Sequence, residues 1–252
     1  MTPRVKILAI QAVTLGAIVG GYEWLAHSHI VYEGVVPSVE VLVPALLGAI
    51  GDPATYGNLW YTALEALGGF AIGTSLGIAI GIVSGAKRWV SAAINPFLDG
   101  FATAPKIVFF PIARLICGTG PASKAMLAGL SAVFPVAIAV AAAVRRINPI
   151  YVKVGRSFRL SPWQMATKVY IPALVPGFVN GMRIGLGLAI IGTLLGEIKL
   201  SDRGIGFLAI DHYNHFQIPP MYALLILIFV LAVGLNVALG QLEARQRQLR
   251  ER

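Results

Sequence analysis

The sequence predicts an all-α protein that crosses a membrane about six times. Three observations carry this expectation: an apolar composition, six stretches long enough to span a bilayer, and a lopsided distribution of Lys and Arg. Of 252 residues, 57% are hydrophobic and only 12% charged. A soluble domain usually carries about a quarter charged residues. So little polar surface cannot cover so apolar a chain, and lipid has to be the solvent for much of it.

A helix needs about twenty apolar residues to cross a bilayer. Such stretches run from about Ile7 to Leu25, Leu59 to Ser84, within Val90 to Cys117, Ala125 to Val144, Phe178 to Ile198 and Tyr222 to Leu239. The third is interrupted by Pro96, Pro105 and Pro111 and contains Asp99. It is expected to be kinked or partly interfacial. The first follows Arg4 and Lys6, as a signal peptide would, but Glu23, Trp24 and His27 stand where a small-residue cleavage site belongs. It reads as a retained helix.

Charge placement sets the orientation. With the N-terminus inside, the cytoplasmic segments hold Arg4, Lys6, Lys87, Arg88, Arg145, Arg146, Lys153, Arg156, Arg159, Lys168 and four tail arginines, Arg245, Arg247, Arg250 and Arg252. The outer side keeps Lys124, Lys199 and Arg203, with Arg114 near a boundary. Fourteen against four places both termini in the cytoplasm by the positive-inside rule. The His27–Asn58 loop has Glu33, Glu40 and Asp52 but no Lys or Arg, and belongs outside. The net charge of +9 is explained by this pattern and not by nucleic-acid binding.

In the second span Gly69, Gly73, Gly77, Gly81 and Gly85 recur every four residues. One side of that helix is nearly bare backbone, which lets a neighbouring helix approach closely; the bland alternative is that glycine is simply common in membrane helices.

Catalytic chemistry is not expected. A lone cysteine, Cys117, excludes an internal disulfide and a cysteine-built metal site. His212 and His215 have only Asp211 beside them, and with His27 and His29 they form no ligand set, so no metal is expected. No G-x-x-x-x-G-K-[ST] phosphate loop is present, so the chain is expected to bind no nucleotide or other cofactor, and ATP and Mg²⁺ would sit on a partner. No Ser/His/Asp or H-E-x-x-H arrangement occurs, and the chain does not read as an enzyme.

The most informative stretch is Tyr151 to Pro172. It is too charged to span, yet Val154, Phe158, Trp163, Val169 and Ile171 are spaced among the cations as in short amphipathic helices around a turn at Ser161-Pro162. Such a piece lies at the membrane face and can offer knobs to a soluble partner, or grip anionic lipid.

Here the sequence resembles the cytoplasmic "EAA" loop of ABC importer permeases of the type I fold. The match includes Arg156, Ser157, Ser161, Trp163-Gln164, Lys168 and Ile171-Pro172, then Gly181-Met182-Arg183, Glu197 and Gly204-Ile205-Gly206. Upstream, Pro105 to Pro111, Gly118-Thr119-Gly120, Ser123-Lys124 and Phe134-Pro135 resemble the nitrate/sulfonate/taurine branch, which includes permeases for pyrimidine vitamin precursors. The resemblance covers roughly residues 58 to 245. It departs in the triplet itself, which is Lys153, Val154 and Gly155, and at the following glycine position, which holds Arg159 and so gives up glycine's freedom to take positive φ.

The resemblance implies a five-helix core plus an N-terminal helix in a bacterial cytoplasmic (inner) membrane. Residues 1–57 would form the N-terminal helix and external loop, 58–245 the permease core with a coupling loop at 150–172, and 246–252 a basic cytoplasmic tail. Arg156, Ser157, Phe158, Arg159, Leu160, Ser161, Trp163, Gln164, Ile171 and Pro172 would contact a separate ABC ATPase. A second permease subunit, the same or a different chain, and a periplasmic or lipoprotein solute-binding protein would complete an importer for a small solute of nitrate, sulfonate, taurine or pyrimidine-precursor type.

Glu65, Met182, Arg183 and Glu197 are candidates for the translocation path or its gates. Intramembrane charge is costly and usually faces protein or a wet cavity; each ionisable group could instead snorkel to the nearest interface. Arg183 and Glu197 are about 21 Å apart along one helix and cannot pair within it. A secondary transporter would need inverted repeats, which the sequence does not show. A partner subunit that transports nothing is the other alternative.

Overall fold

The computed structural model describes residues 3–28, 30–31 and 34–250. His29, Glu33 and Arg252 lie outside the described residues, as do the side chains of Arg4, Arg245, Arg247 and Arg250. The described chain is helical with no strand: α1 Pro3–His27, α2 Val39–Gly51, α3 Pro53–Ala86, α4 Arg88–Thr103, α5 Phe110–Cys117, α6 Pro121–Arg145, α7 Pro149–Ser157, α8 Pro162–Met165, α9 Ile171–Leu200, α10 Ile205–Asn214 and α11 Ile218–Arg250. It divides into two compact units, Tyr56–Phe207 with Phe229–Arg252 and Met1–Thr55 with Leu208–Ile228.

In the larger unit, α6 is the central and most deeply buried helix. The α3 glycines lie along it in order: a Cβ on Gly69 would strike Ala125, one on Gly77 would lie 2.6 Å from the Val133 carbonyl, and one on Gly85 would meet Ala141 and Val144. Position increases together on both helices, so α3 and α6 run parallel. On the other side, Gly177, Gly181, Gly185, Gly192 and Gly196 of α9 meet Ala143, Ala139, Val136, Ser131 and Lys124 in descending order, so α9 is antiparallel to α6. Without a hydrophobic drive between helices in lipid, close backbone contact of this kind supplies the packing energy.

Parallel α3 and α6 force residues 87–120 to return across the layer. That segment is a broken crossing, with α4 and the stretch ending in α5 bent by 91° from each other. The break falls at Ala104-Pro105. Ala104 is extended, as a residue before proline is biased to be, and Pro105 cannot donate to the preceding turn. With the five uninterrupted candidate spans among the described residues, this crossing makes six. Where α3 and α6 end, Ser84 donates to Asn95 Oδ1 (2.9 Å), Asn95 Nδ2 to Ser91 Oγ (3.0 Å), and Arg145 Nη1 to the same Ser91 oxygen (3.0 Å).

The fifth span starts earlier than its apolar run suggests. From α8 the helix passes through a π-helical turn, Ala166–Tyr170, directly into α9. Pro172 has no N–H to offer, and a widened turn is a usual way for a helix to absorb such a lost bond.

In the smaller unit the 27–58 loop is not irregular throughout, because it contains the apolar α2. Glu23 Oε2 accepts from Val39 N (3.0 Å) at the start of α2, and Tyr22 Oη donates to the Pro37 carbonyl (2.6 Å). A carboxylate at a helix N-terminus satisfies a donor that the helix itself leaves open.

Candidate functional site

Two places concentrate chemistry, one at each end of α6. At the end where α6 stops lies the polar insert. Asn148 caps α7 by accepting from Ile150 N (2.9 Å). The helix closes with Arg159 N donating to Arg156 O (2.9 Å) and Leu160 N to Gly155 O (3.1 Å), a Schellman pair. Such a pair needs a left-handed residue, and Arg159 supplies it at φ 50°. The backbone thus takes the glycine conformation without glycine, at a cost of about 1 kcal/mol. Leu160 and Met165 both pack against the face of Gly155 where a Cβ would stand.

Ser161 and Gln164 then form a capping box: Ser161 Oγ accepts from Gln164 N (3.3 Å) and Gln164 Oε1 from Ser161 N (2.9 Å). The predicted coupling residues therefore divide by role. Leu160, Ser161 and Gln164 build the turn, and Ser157 Oγ bonds back to Val154 O (2.8 Å). Pro172 lines an apolar hollow of about 620 Å³ with Tyr151, Val154, Phe158 and Val169, while Ile171 is half exposed. Arg156 and Arg159 are exposed, and Phe158 and Trp163 are each 76% exposed.

At the opposite end, three side chains from three helices close a buried polar cluster. Lys124 Nζ of α6 stands 3.6 Å from Glu65 Oε1 of α3, and both side chains are 2% exposed. Glu197 of α9, fully buried, interacts with both. Its Oε1 accepts from Thr62 Oγ1 (2.6 Å) and its Oε2 from Gly206 N (2.7 Å). Ile205 N donates to Thr62 Oγ1 (2.8 Å), and Gly204 N donates to Asn58 Oδ1 (2.8 Å). Three successive N–H groups at the start of α10 are thereby satisfied by α3 and α9, with a carboxylate at the positive end of the helix. Gly204 has φ 105°, and a Cβ there would collide with the Glu197 carboxyl.

Arg183 is remote from this cluster. Its Nε and Nη2 donate to Asn236 Oδ1 of α11 (3.3 and 3.0 Å), and Met182 beside it is half-buried. Among the candidate gate residues the structure brings Glu65 and Glu197 together, and leaves Met182 and Arg183 apart from them. His212 Nδ1 meets Gln217 Oε1, and His215 Nδ1 meets the Asp211 carbonyl. Sequence reasoning missed Lys124, Thr62 and Asn58 as members of the cluster. Lys124, placed in an outer loop by charge alone, is buried in the first turn of α6; its isolation in an otherwise apolar run was the available signal.

A profile of the binding-protein-dependent transport system inner membrane component family matches residues 73–248. The chain belongs to that family of ABC importer permeases. It is 28% identical over 201 residues to the putative aliphatic sulfonates transport permease SsuC of Bacillus subtilis, covering 80% of this chain and 73% of that one. It is 30% identical over 167 residues to the nitrate import permease NrtB of Synechocystis, covering 66% and 60%. A probable ABC transporter permease of Brucella abortus aligns over the full length of both chains at 24% identity. The fold matches a chain from inward-facing structures of the MetNI methionine ABC transporter with TM-score 0.60 at 20% identity, covering 82% of this permease and 96% of that chain. These relatives are transport permeases, not enzymes.

Proposed function

We propose that this permease forms the translocation path for a small solute, of the nitrate, sulfonate, taurine or pyrimidine-precursor type, and that α7–α8 is where a separate ATPase drives it. The observation that carries the reading is mechanical. Phe158 and Trp163 project from a capped, cation-bearing insert that continues into a spanning helix with only a π-turn between. From Trp163 to Glu197 that rod is about 51 Å long. Movement imposed on α8 reaches the buried cluster at the far end without crossing a flexible loop, in a rocking scheme of rigid elements.

The cation-rich end, with Lys87, Arg88, Arg145, Arg146 and the insert, faces the cytoplasm in this reading, and the Glu65–Lys124–Glu197 end faces outward. A second permease subunit and a solute-binding protein complete the complex. ATP and Mg²⁺ bind the ATPase, since this sequence has no phosphate loop. Exposed aromatic anchors dominate most interfaces, while Arg156 and Arg159 set charge complementarity with an acidic groove. Phe158→Ala with Arg156→Ala is therefore expected to release the permease from an affinity-tagged ATPase during purification and to abolish solute-stimulated ATP hydrolysis. An intact complex with unaltered hydrolysis would contradict the assignment of this insert.

A further inference from the structure

Two members of the cluster at the start of α6, Glu65 and Lys124, line an open cavity of about 520 Å³. Tyr61 and Glu65 of α3, Arg114 of α5, Thr119 and Lys124 around the start of α6, and Arg203 beyond α9 are among its lining residues. On the orientation proposed above, this is the outer side, where Lys and Arg are disfavoured. Of the four Lys and Arg that charge placement puts on the outer side, Arg114, Lys124, Lys199 and Arg203, three line this one cavity.

Each cation is held differently. Lys124 is buried, 3.6 Å from Glu65 and 3.5 Å from the Thr119 carbonyl. Arg203 lies over the Tyr61 ring, its Cζ 5.0 Å from the centroid, and donates to the Tyr61 hydroxyl, which fixes the guanidinium at the rim. Arg114 of α5 is a half-buried lining residue with no ion pair among the described residues. The carboxylates present are Glu65, engaged by Lys124 and facing Glu197, and Asp202, exposed at the rim. The start of α6 adds the positive end of a 25-residue helix to the wall.

We propose that this cavity binds a small oxyanion, a sulfonate, nitrate or bicarbonate-sized group, between Arg114 and Arg203 and above Lys124. Guanidinium groups suit this ligand because their planar forks match the oxygen spacing of oxyanions. As the place where transported solute is first taken up by the permease, the site rests on the importer reading. As an anion site it rests on the cavity alone.

The test uses the purified full chain in lipid nanodiscs, with methanesulfonate as probe and its methyl protons observed by saturation-transfer NMR. Saturable binding is expected, displaced by nitrate and not by methylammonium. Arg114→Gln and Arg203→Gln should each weaken it at least about tenfold, the cost of one charge-assisted contact. Arg114→Lys should retain part of the affinity, which separates lost charge from lost folding, and Lys6→Gln, at an exposed position of α1, should change nothing. Binding that is absent, equally displaced by methylammonium, or unchanged in both arginine variants would overturn the site. The assay contains no ATPase. A chain that binds methanesulfonate in this way but imports no solute therefore overturns the importer reading and leaves the anion site standing.

Discussion

Lys124→Met is expected to destabilise the permease by about 3–5 kcal/mol, the usual cost of removing one partner from a buried ion pair. Its ammonium is the cation against Glu65 in a site where both side chains are 2% exposed, and Glu197 lies beside them. Glu65 Oε2 already lacks a hydrogen-bond partner there. Removing the lysine leaves two neighbouring carboxyl groups with no counter-charge. Glu65→Leu added to Lys124→Met should recover most of the loss, since replacing a whole buried pair by apolar groups is often nearly neutral. Denaturant unfolding in detergent measures all three variants together with Glu65→Leu. If Lys124→Met is as stable as the parent, the cluster does not hold that end of the core.

Gly77→Leu is expected to cost about 3 kcal/mol or more, at the upper end of the range for overpacked cores. A Cβ at Gly77 would sit 2.6 Å from the Val133 carbonyl and 2.9 Å from Val136 Cβ. Backbone cannot rotate away as a flexible side chain could. Nor can α6 retreat, because Gly181 and Gly185 of α9 press on Val136 from behind. Gly68→Leu is the matched control: it lies on the same helix with nothing within 4 Å of a Cβ, so it should cost little. The comparison is read as the fraction of folded protein surviving a heating series in detergent. Equal survival of both variants would contradict the seam.

Much of this fold was legible in the sequence because lipid imposes simple rules. Span length and glycine spacing follow from bilayer thickness and backbone approach, and each can be read locally. The π-turn ahead of Pro172 and the merging of α8 into α9 were not legible. Charge marked the insert as non-spanning, but charge does not say where a helix ends. Arg159 shows the converse. Its side chain gave no hint of a left-handed backbone, whereas the family's glycine at that position did, and the Schellman hydrogen bonds enforce it without glycine. The buried cluster was half legible. Glu65 and Glu197 stood out as acids in apolar helices, but their cation is 59 residues from the first and 73 from the second, and only tertiary packing joins them. The Arg183–Asn236 pair, between α9 and α11, was hidden for the same reason.

The proposed solute path, worked by a partner's ATP hydrolysis, is open to one direct test. The direct measurement is uptake of radiolabelled methanesulfonate or nitrate into proteoliposomes that contain the permease, its ATPase and its solute-binding protein. The account predicts accumulation that requires ATP and is abolished by Phe158→Ala with Arg156→Ala. Accumulation driven by an ion gradient without ATP, or a complex that hydrolyses ATP and accumulates neither these solutes nor any other offered by its binding protein, would contradict it.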